Sequence, residues 1–503
     1  MNIRDVLQDI EFLNQPQIPH LEIHSISFNS KKVQNDSLFV AISGGQFDGH
    51  HYIEDAINRG AVAIVGEKEM KSPLPVPYFR VRNSRESLAK LSSNFYHNPS
   101  KKHMMIGVTG TNGKTTTTFI LKHLFEEQGL SCTMIGSVMN IINGENRPSI
   151  ATTPDSLELN RILSESNDDV VIMEVSSHAL AQARVEGLAF DACLFTNLSH
   201  DHLDYHGSLE EYFLTKARLF QQLKENGKAI INIDTEWGER LFSMLQQKKV
   251  NSLSLSRLHD ADYKILHVLS NQCSSALLVH QHHEELYIHL NMPGEHNIYN
   301  AAMAYIAGIE LGLDNQKLLS SLKTFKGVPG RFEMFDYHGA TIVVDYAHTA
   351  DSFSYCLNAA KTCEAKSIRH VFGFRDERDQ SKRAEMVQVS SSLSDEYTLT
   401  LDDLTAVSPS DMLLELIKLQ KEAGNKKGRI TKDRTIAIKE AIEKSAKGDW
   451  VFVTGKGNEQ YKNTYALPCS SDIETVQYVI KKKSTHCEET PQSFHEDDQQ
   501  SFL

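Results

Sequence analysis

The chain has no apolar run long enough to span a bilayer, and Met1-Asn2-Ile3-Arg4-Asp5-Val6 carries no signal-peptide core. The expectation is a cytoplasmic protein with no membrane insertion. Cysteine is sparse, seven residues at 132, 193, 273, 356, 363, 469 and 487, and no C-x-x-C pair occurs. That argues against a disulfide framework and for reduced thiols used mostly in packing. Positive charge is in deficit: 52 Lys and Arg face 65 Asp and Glu, a formal net charge of −13, which disfavours a surface that wraps nucleic acid. No repeat at solenoid periods is present.

What is there is a chain of 503 residues, 40% hydrophobic, too long for one core, so two or three domains are expected. Apolar runs alternate with helical patterns: Ser37–Ile42, Ala61–Val65, Met104–Thr109, Val170–Val175, Ala192–Asn197, Ala229–Ile233, Thr341–Asp345, Arg369–Gly373, Glu396–Leu401 and Trp450–Thr454. Such alternation predicts an α/β protein whose mostly parallel sheets are covered on both faces. Ligands then collect beyond the carboxyl ends of the strands. The boundaries read from the sequence are 1–100, a small α/β unit; 101–331, a central domain; 332–483, a third α/β domain; and 484–503, an acidic tail of disordered composition.

The stretch Gly110-Thr111-Asn112-Gly113-Lys114-Thr115-Thr116 follows one of these strands and opens a helix in which Ile120, Leu121, Leu124 and Phe125 recur at helical spacing. Strand, glycine loop and helix N-terminus together cradle phosphates: small residues let backbone N–H groups approach, and the first helical turn adds partial positive charge. Lys114 is placed to reach the outer phosphates and the Thr115 hydroxyl to serve magnesium. A plain glycine turn is the other reading, and Val108 stands where the general P-loop pattern has its first glycine.

Other clusters fall at strand ends. Glu174 precedes Ser176, Ser177 and His178. A carboxylate there serves either as a helix N-terminal charge or, beside a P-loop, as a magnesium ligand. His200, Asp201, His202, Asp204 and His206 match no zinc spacing and fit a magnesium-like ion better, though each histidine also has a structural reading. Lys216, in an amphipathic helix, reads from spacing alone as a solvated lysine. Asp345 and His348 end an apolar strand. Arg331 and Arg378 each suit an anionic oxygen.

Together these clusters resemble the Mur ligases, ATP-dependent enzymes of peptidoglycan synthesis. The resemblance rests on the glycine loop, Thr152-Thr153-Pro154, Met173 to Leu180, Thr196 to Ser199, Asp201-His202-Leu203-Asp204, Gly294 to Asn300, Gly330-Arg331 and Asp345 to Thr349. The Thr-Thr-Pro, the Ser-Ser-His-Ala-Leu run and Asp48-Gly49-His50 resemble the branch that adds the third amino acid to UDP-N-acetylmuramoyl-L-alanyl-D-glutamate. The resemblance implies an N-terminal UDP-binding domain, a central ATP-binding P-loop domain, a Rossmann-like C-terminal domain, and ATP and Mg2+ as cofactors. Its partners would be the UDP-dipeptide and a free amino acid, acting on a monomer.

The resemblance also implies roles. Gly110 to Thr116, Asn300 at the adenine, Arg331 and Asp345 would contact nucleotide. Thr115, Glu174, His202 and a carbamylated Lys216 would serve the metals, with Lys114, Glu174, His202, Lys216 and Asp345 catalytic. Ser30, Thr152, Thr153, Ser176, Gln182 and Arg184 would hold the UDP-sugar dipeptide, and Arg378, Asp402, Asp403, Thr405, Gly455 and Glu459 the amino acid. A folylpolyglutamate synthetase-like ligase, a paralogue with another substrate and an inactive binding module are the alternatives.

Three departures stand out. Asn29-Ser30-Lys31 replaces an Asp-Ser-Arg near the uridine site, and Gly373-Phe374-Arg375-Asp376-Glu377-Arg378-Asp379 lacks the usual glycine pair. Asp402-Asp403-Leu404-Thr405 stands where the diaminopimelate branch has Asp-Asn-Pro-Arg. With the arginine gone and an acid added, the expectation is a pocket favouring an ammonium tip, as in L-lysine or L-ornithine.

Overall fold

The structure, a computed structural model, describes residues 1–44, 47–270, 273–280, 285–376 and 379–486. One compact unit runs from Met1 to Gly327 and a second begins at Val328.

The first unit holds two sheets. The smaller has strands β1 (Ser25–Ser27), β2 (Ser37–Val40), β3 (Ala61–Gly66) and β4 (Tyr78–Arg80) in that order, all parallel. Ile23, Leu38, Val40, Val65, Phe79 and Leu91 form the core on one of its faces.

The larger sheet contains, among the described residues, β5 (Met104–Thr109), β6 (Cys132–Ile135), β7 (Asn140–Ile142), β8 (Glu145–Arg147), β9 (Val170–Glu174), β10 (Phe190–Phe195), β11 (Leu223–Asn232), β12 (Ser252–Ser256), β13 (Tyr263–Ser270), β14 (Ser274–His280) and β15 (Glu285–Leu290). Their order is β15-β14-β13-β12-β11-β10-β5-β9-β6-β7-β8. The strands from β12 through β6 are parallel, and antiparallel ribbons extend both margins. β9 is buried at every position, as its unbroken apolar run requires for a strand covered on both faces.

The chain leaves β5, builds β6 to one side, and later places β10 on the other. The carboxyl end of β5 is therefore a switch point of strand order, where an open α/β sheet forms a crevice.

The second unit repeats the logic with β16 (Glu333–Tyr337), β17 (Ala340–Asp345), β18 (Ile368–Phe374), β19 (Glu396–Leu401), β20 (Gly428–Ile430) and β21 (Trp450–Thr454). The order is β16-β17-β21-β18-β19-β20, antiparallel only at β16–β17. Ile342, Val344, Val371, Val451 and Val453 form its core with Ile438, Ile442 and Val476 from helices. The helix Asp472–His486 runs past the boundary expected at 483, and the rest of the acidic tail lies outside the described residues.

Candidate active site

Register places the glycine loop between two polar strand ends. Val108 of β5 pairs with Glu174 of β9, and Thr109 pairs with Phe195 of β10, whose chain continues into Thr196 and Asn197. The loop is fixed from the β10 side. Thr111 N–H donates to Asn197 O at 2.9 Å, Asn112 N–H to Asn197 Oδ1 at 2.9 Å, and Thr196 Oγ1 to Asn112 O at 2.6 Å.

Two glycines are obligatory here. Gly110 has φ +147° and a Cβ would meet Thr196 Oγ1 at 1.9 Å; Gly113 has φ +87° and a Cβ would meet Asn300 Oδ1 at 2.5 Å. The helix Lys114–Glu127 starts at once after Gly113, so its first N–H groups face the loop. Lys114 Nζ donates to the carbonyls of Gly110 at 2.8 Å and Thr111 at 2.9 Å.

Thr115 and Glu174 meet. Thr115 Oγ1 donates to Glu174 Oε2 at 3.0 Å, and Ser137 adds its N–H at 2.8 Å and its hydroxyl at 3.1 Å to Oε1. Glu174 is buried, so these donors offset the loss of water around its charge. The helix-charge reading of Glu174 is not what its contacts show. Ser137 was not singled out by sequence: it lies in a short irregular segment after β6, and no motif marks it.

Lys216 corrects the reading from spacing. The helix Leu209–Ala217, capped by Ser208 accepting from Glu211 N–H at 3.2 Å, turns Tyr212, Phe213 and Lys216 inward. Lys216 is 1% exposed, its Nζ donates to Gly110 O at 2.8 Å, and it lies 4.5 Å from the Tyr212 ring centre. Burial, and secondarily the charge of Lys114, holds its amine well below the ordinary lysine pKa, with Asp201 opposing.

His202 sits beside it with φ +55°, an uncommon backbone for a non-glycine residue, its Nε2 3.5 Å from Asp201 Oδ2. Desolvation, with His178, Lys216 and Lys114 nearby, holds the His202 imidazole down to about 3 against the pull of Asp201. Its ring centre is 4.8 Å from that of His178. His206 bonds Ser177 Oγ at 3.0 Å instead. Among the described residues no three His, Cys, Asp or Glu side chains are disposed to hold one metal. The hard oxygens of Thr115, Ser137 and Glu174 suit magnesium in kind.

Asn300 is buried against the start of the P-loop helix and accepts from Thr117 Oγ1 at 3.3 Å; Thr116 is buried too. Thr153 Oγ1 donates to Glu174 O at 2.8 Å and accepts from Ser176 N–H at 3.1 Å, while Ser176 caps the helix Ser177–Ala181. Arg184 donates to Thr153 O at 2.7 Å and to Gln182 Oε1 at 2.9 Å. Gln182 and Arg184 line a cavity of about 380 Å³ with Phe28, Arg85, Asn140 and Pro154. Thr152 and Ser30 are not in its lining; Ser30 is buried in the turn Ser30–Lys32, and Phe28 reaches the cavity in its place. Arg85, from the helix Ser84–Phe95, is a lining cation no motif announced.

In the second unit Asp345 closes β17, Gly455 and Glu459 follow the carboxyl end of β21, Asp402, Asp403 and Thr405 follow that of β19, and Arg331 precedes β16. Asp345 accepts the N–H groups of Phe332 at 2.7 Å and Ala347 at 2.6 Å, yet desolvation keeps its carboxyl raised against those donors and Arg331. Arg331 lies over the Tyr346 ring at 4.2 Å. Gly455 borders a recess with Asp402 and Arg375, and Glu459 pairs with Arg375. Arg378 lies outside the described residues.

The premise of a free added acid fails. Lys456, which sequence reading passed over, is buried and donates to Asp402 Oδ1 at 3.2 Å and to Asp403 Oδ2. Burial works to raise the Asp402 carboxyl, and Arg434, Lys456 and Arg375 outweigh it, leaving it lowered. Asp403 also accepts from Asn463 N–H at 3.1 Å. Thr405 is bonded to Asp376 by its N–H at 2.8 Å and its hydroxyl at 3.2 Å. Neither acid is left over for an ammonium tip.

Family models match along most of the chain: the Mur ligase family catalytic domain over 22–96, the Mur ligase middle domain over 108–308, and the Mur ligase glutamate ligase domain over 330–457. A Clostridium tetani protein named UDP-N-acetylmuramoyl-L-alanyl-D-glutamate--2,6-diaminopimelate ligase is 34% identical over 473 residues, spanning 92% of this chain and 95% of its own. A Parabacteroides distasonis protein of the same name is 37% identical over 470 residues, with the same coverage of both chains. A solved structure of a ligase of that name superposes with a TM-score of 0.69 at 27% identity, covering 96% of this chain and 99% of its own. With relatives this similar over nearly the whole length of both partners, the chain belongs to the Mur ligase family.

Proposed function

We propose that this chain is an ATP-dependent amide ligase that joins a diamino acid, as the third residue, to UDP-N-acetylmuramoyl-L-alanyl-D-glutamate in the cytoplasm, working as a monomer. The observation that carries this is the P-loop bracketed by the Thr115–Glu174 pair on one side and buried Lys216 on the other. A P-loop that only hydrolysed ATP has no evident use for a desolvated second lysine on the loop carbonyl.

In the reaction the terminal phosphoryl group of ATP passes to a glutamyl carboxylate. The amino acid's amine attacks the resulting acyl phosphate, and phosphate leaves. Negative charge accumulates on the transferring group, so fixed donors carry the rate. Gly110 to Thr116 hold the phosphates through backbone N–H groups, and Lys114 turns from its loop carbonyls to the outer phosphate. Asn300, Arg331 and Asp345 position the nucleotide. Gln182, Arg184 and Arg85 hold the UDP-sugar dipeptide in the 380 Å³ cavity, while Thr153 and Ser176 fix its wall. Thr115 and Glu174 would hold one magnesium and His202 with a carbamylated Lys216 a second, supplying positive charge against the phosphoryl oxygens. A neutral, buried amine is the form of lysine that adds to CO2 and loses a proton to give a carbamate. The domains in this reading are 1–100, 101–331 and 332–483.

The test is phosphate release from ATP with the UDP-dipeptide and a diamino acid, each omitted in turn. Release that needs all three supports the reading; release indifferent to the UDP-dipeptide contradicts it.

A further inference from the structure

Two of this chain's departures from its family are joined in space. The segment without the glycine pair contributes Arg375 and Asp376 at the end of β18. The segment without the selector arginine is 402–405 at the end of β19. Asp376 binds the second segment through the N–H groups of Thr405 at 2.8 Å, Ala406 at 2.6 Å and Val407 at 2.9 Å, besides the Thr405 hydroxyl. A carboxylate with that many donors is a clamp, and it fixes Arg375 next to the loop that has no arginine of its own.

Arg375 points into the recess bordered by Gly373, Asp402 and Gly455. Its side chain is 18% exposed. Its Nη2 pairs with Glu459 Oε2, while its Nε is buried with no hydrogen bond and lies 3.9 Å from Asp402 Oδ1. Asp402 is already committed to Lys456, so Glu459 is the principal counter-ion. The space left in the recess is about 20 Å³, room for about one water. The Arg375 side chain therefore takes up room in the recess that a ligand would use.

We infer that Arg375 is the specificity-determining arginine of this chain, transferred from the 402–405 loop to the end of β18, and that with Glu459 it reads the far end of a diamino dicarboxylic acid. This rests on the ligase reading above. On binding, the ion pair exchanges partners: the ligand carboxylate takes the guanidinium, in the forked geometry arginine offers, and the ligand ammonium takes Glu459. No charge is left unpaired. A lysine side chain brings only the ammonium and strands a mostly buried guanidinium, which is heavily penalised. The substrate class is then one whose distal carbon bears both groups, the diaminopimelate type, rather than lysine or ornithine.

The experiment measures phosphate release with ATP and the UDP-dipeptide, comparing meso-diaminopimelate with L-lysine, for the full chain and for Arg375→Ala. The full chain is expected to favour diaminopimelate by about a hundredfold or more in kcat/KM, and Arg375→Ala to lose about a hundredfold with diaminopimelate, mostly in KM, while lysine, which no longer strands a guanidinium, improves by about tenfold. Arg375→Gly combined with Thr405→Arg is expected to recover much of the preference. A melting curve like the parent's shows that the variant folds. Equal losses with both amino acids would mean Arg375 reads a group they share, and a native preference for lysine would mean it reads none; either overturns the assignment while leaving the ligase reading intact. Phosphate release that no amino acid stimulates overturns both.

Discussion

Lys114 and Lys216 donate to the same acceptor, the carbonyl oxygen of Gly110, each at 2.8 Å. Two ammonium groups cannot share one buried carbonyl without strong repulsion, and burial, with the charge of Lys114 second, holds the enclosed Lys216 amine well below the ordinary lysine range. In the proposed reaction Lys114 serves the phosphate and Lys216 supplies the neutral amine. Lys216→Ala is expected to lose phosphate release by about a hundredfold or more, with partial rescue by short carboxylic acids that replace a carbamate. Loss without any rescue would count against the carbamate.

Ser137 gives Glu174 two of its donors. Ser137→Ala retains the backbone donor and removes the hydroxyl. Turnover is expected to fall about tenfold at low magnesium and to recover as magnesium is raised, as partners that orient metal ligands commonly behave. A magnesium-independent loss would assign Ser137 to folding alone.

His370 is buried and His296 half-buried, and both are neutral. His370 bonds Ser390 Oγ at 2.9 Å and Thr454 Oγ1 at 2.8 Å, and burial holds its imidazole down to about 3 and that of His296 to about 4, from an ordinary 6.5. Between the folded and unfolded values the unfolded chain binds more protons, so stability rises with pH. It is full above about pH 6.5 and declines as the pH falls toward 4. Each such histidine contributes up to about 1.4 kcal/mol per pH unit in that window. Melting temperature against pH checks this, and His370→Phe is expected to make the decline shallower; an unchanged slope contradicts the assignment.

Arg434 and Asp472 are both fully buried and bonded in a fork at 2.7 Å on each arm, with Arg434 also donating to Thr454 O at 2.8 Å. Removing one partner leaves a buried charge alone. Arg434→Met is expected to destabilise the second unit by about 3–5 kcal/mol, read by thermal denaturation, with UDP-dipeptide binding retained in the first unit. A change below about 1 kcal/mol would show that water enters to solvate Asp472.

The strands at the site were legible because each is an unbroken apolar run ending in polar residues. Met104–Thr109, Val170–Glu174 and Trp450–Thr454 all form as their patterns require. The glycine loop was legible because few sequences other than a phosphate cradle place Gly-Lys-Thr between a strand and a helix. Lys216 was not, since helical spacing shows which face a residue shares with Tyr212 and Phe213 but not whether the helix end is covered. Ser137, Arg85 and Lys456 act through loops and long side chains, where position in the chain does not reveal partners. The acids at 402 and 403 misled for the same reason: their partner lies more than fifty residues away, at Lys456.

The most direct test of the account is the mass of the product formed from UDP-N-acetylmuramoyl-L-alanyl-D-glutamate, ATP and diaminopimelate. The prediction is one new amide per ATP consumed, the UDP-dipeptide gaining the mass of the amino acid less one water, with ADP and phosphate released in equal amounts. ATP consumed with the UDP-dipeptide recovered unchanged would contradict it.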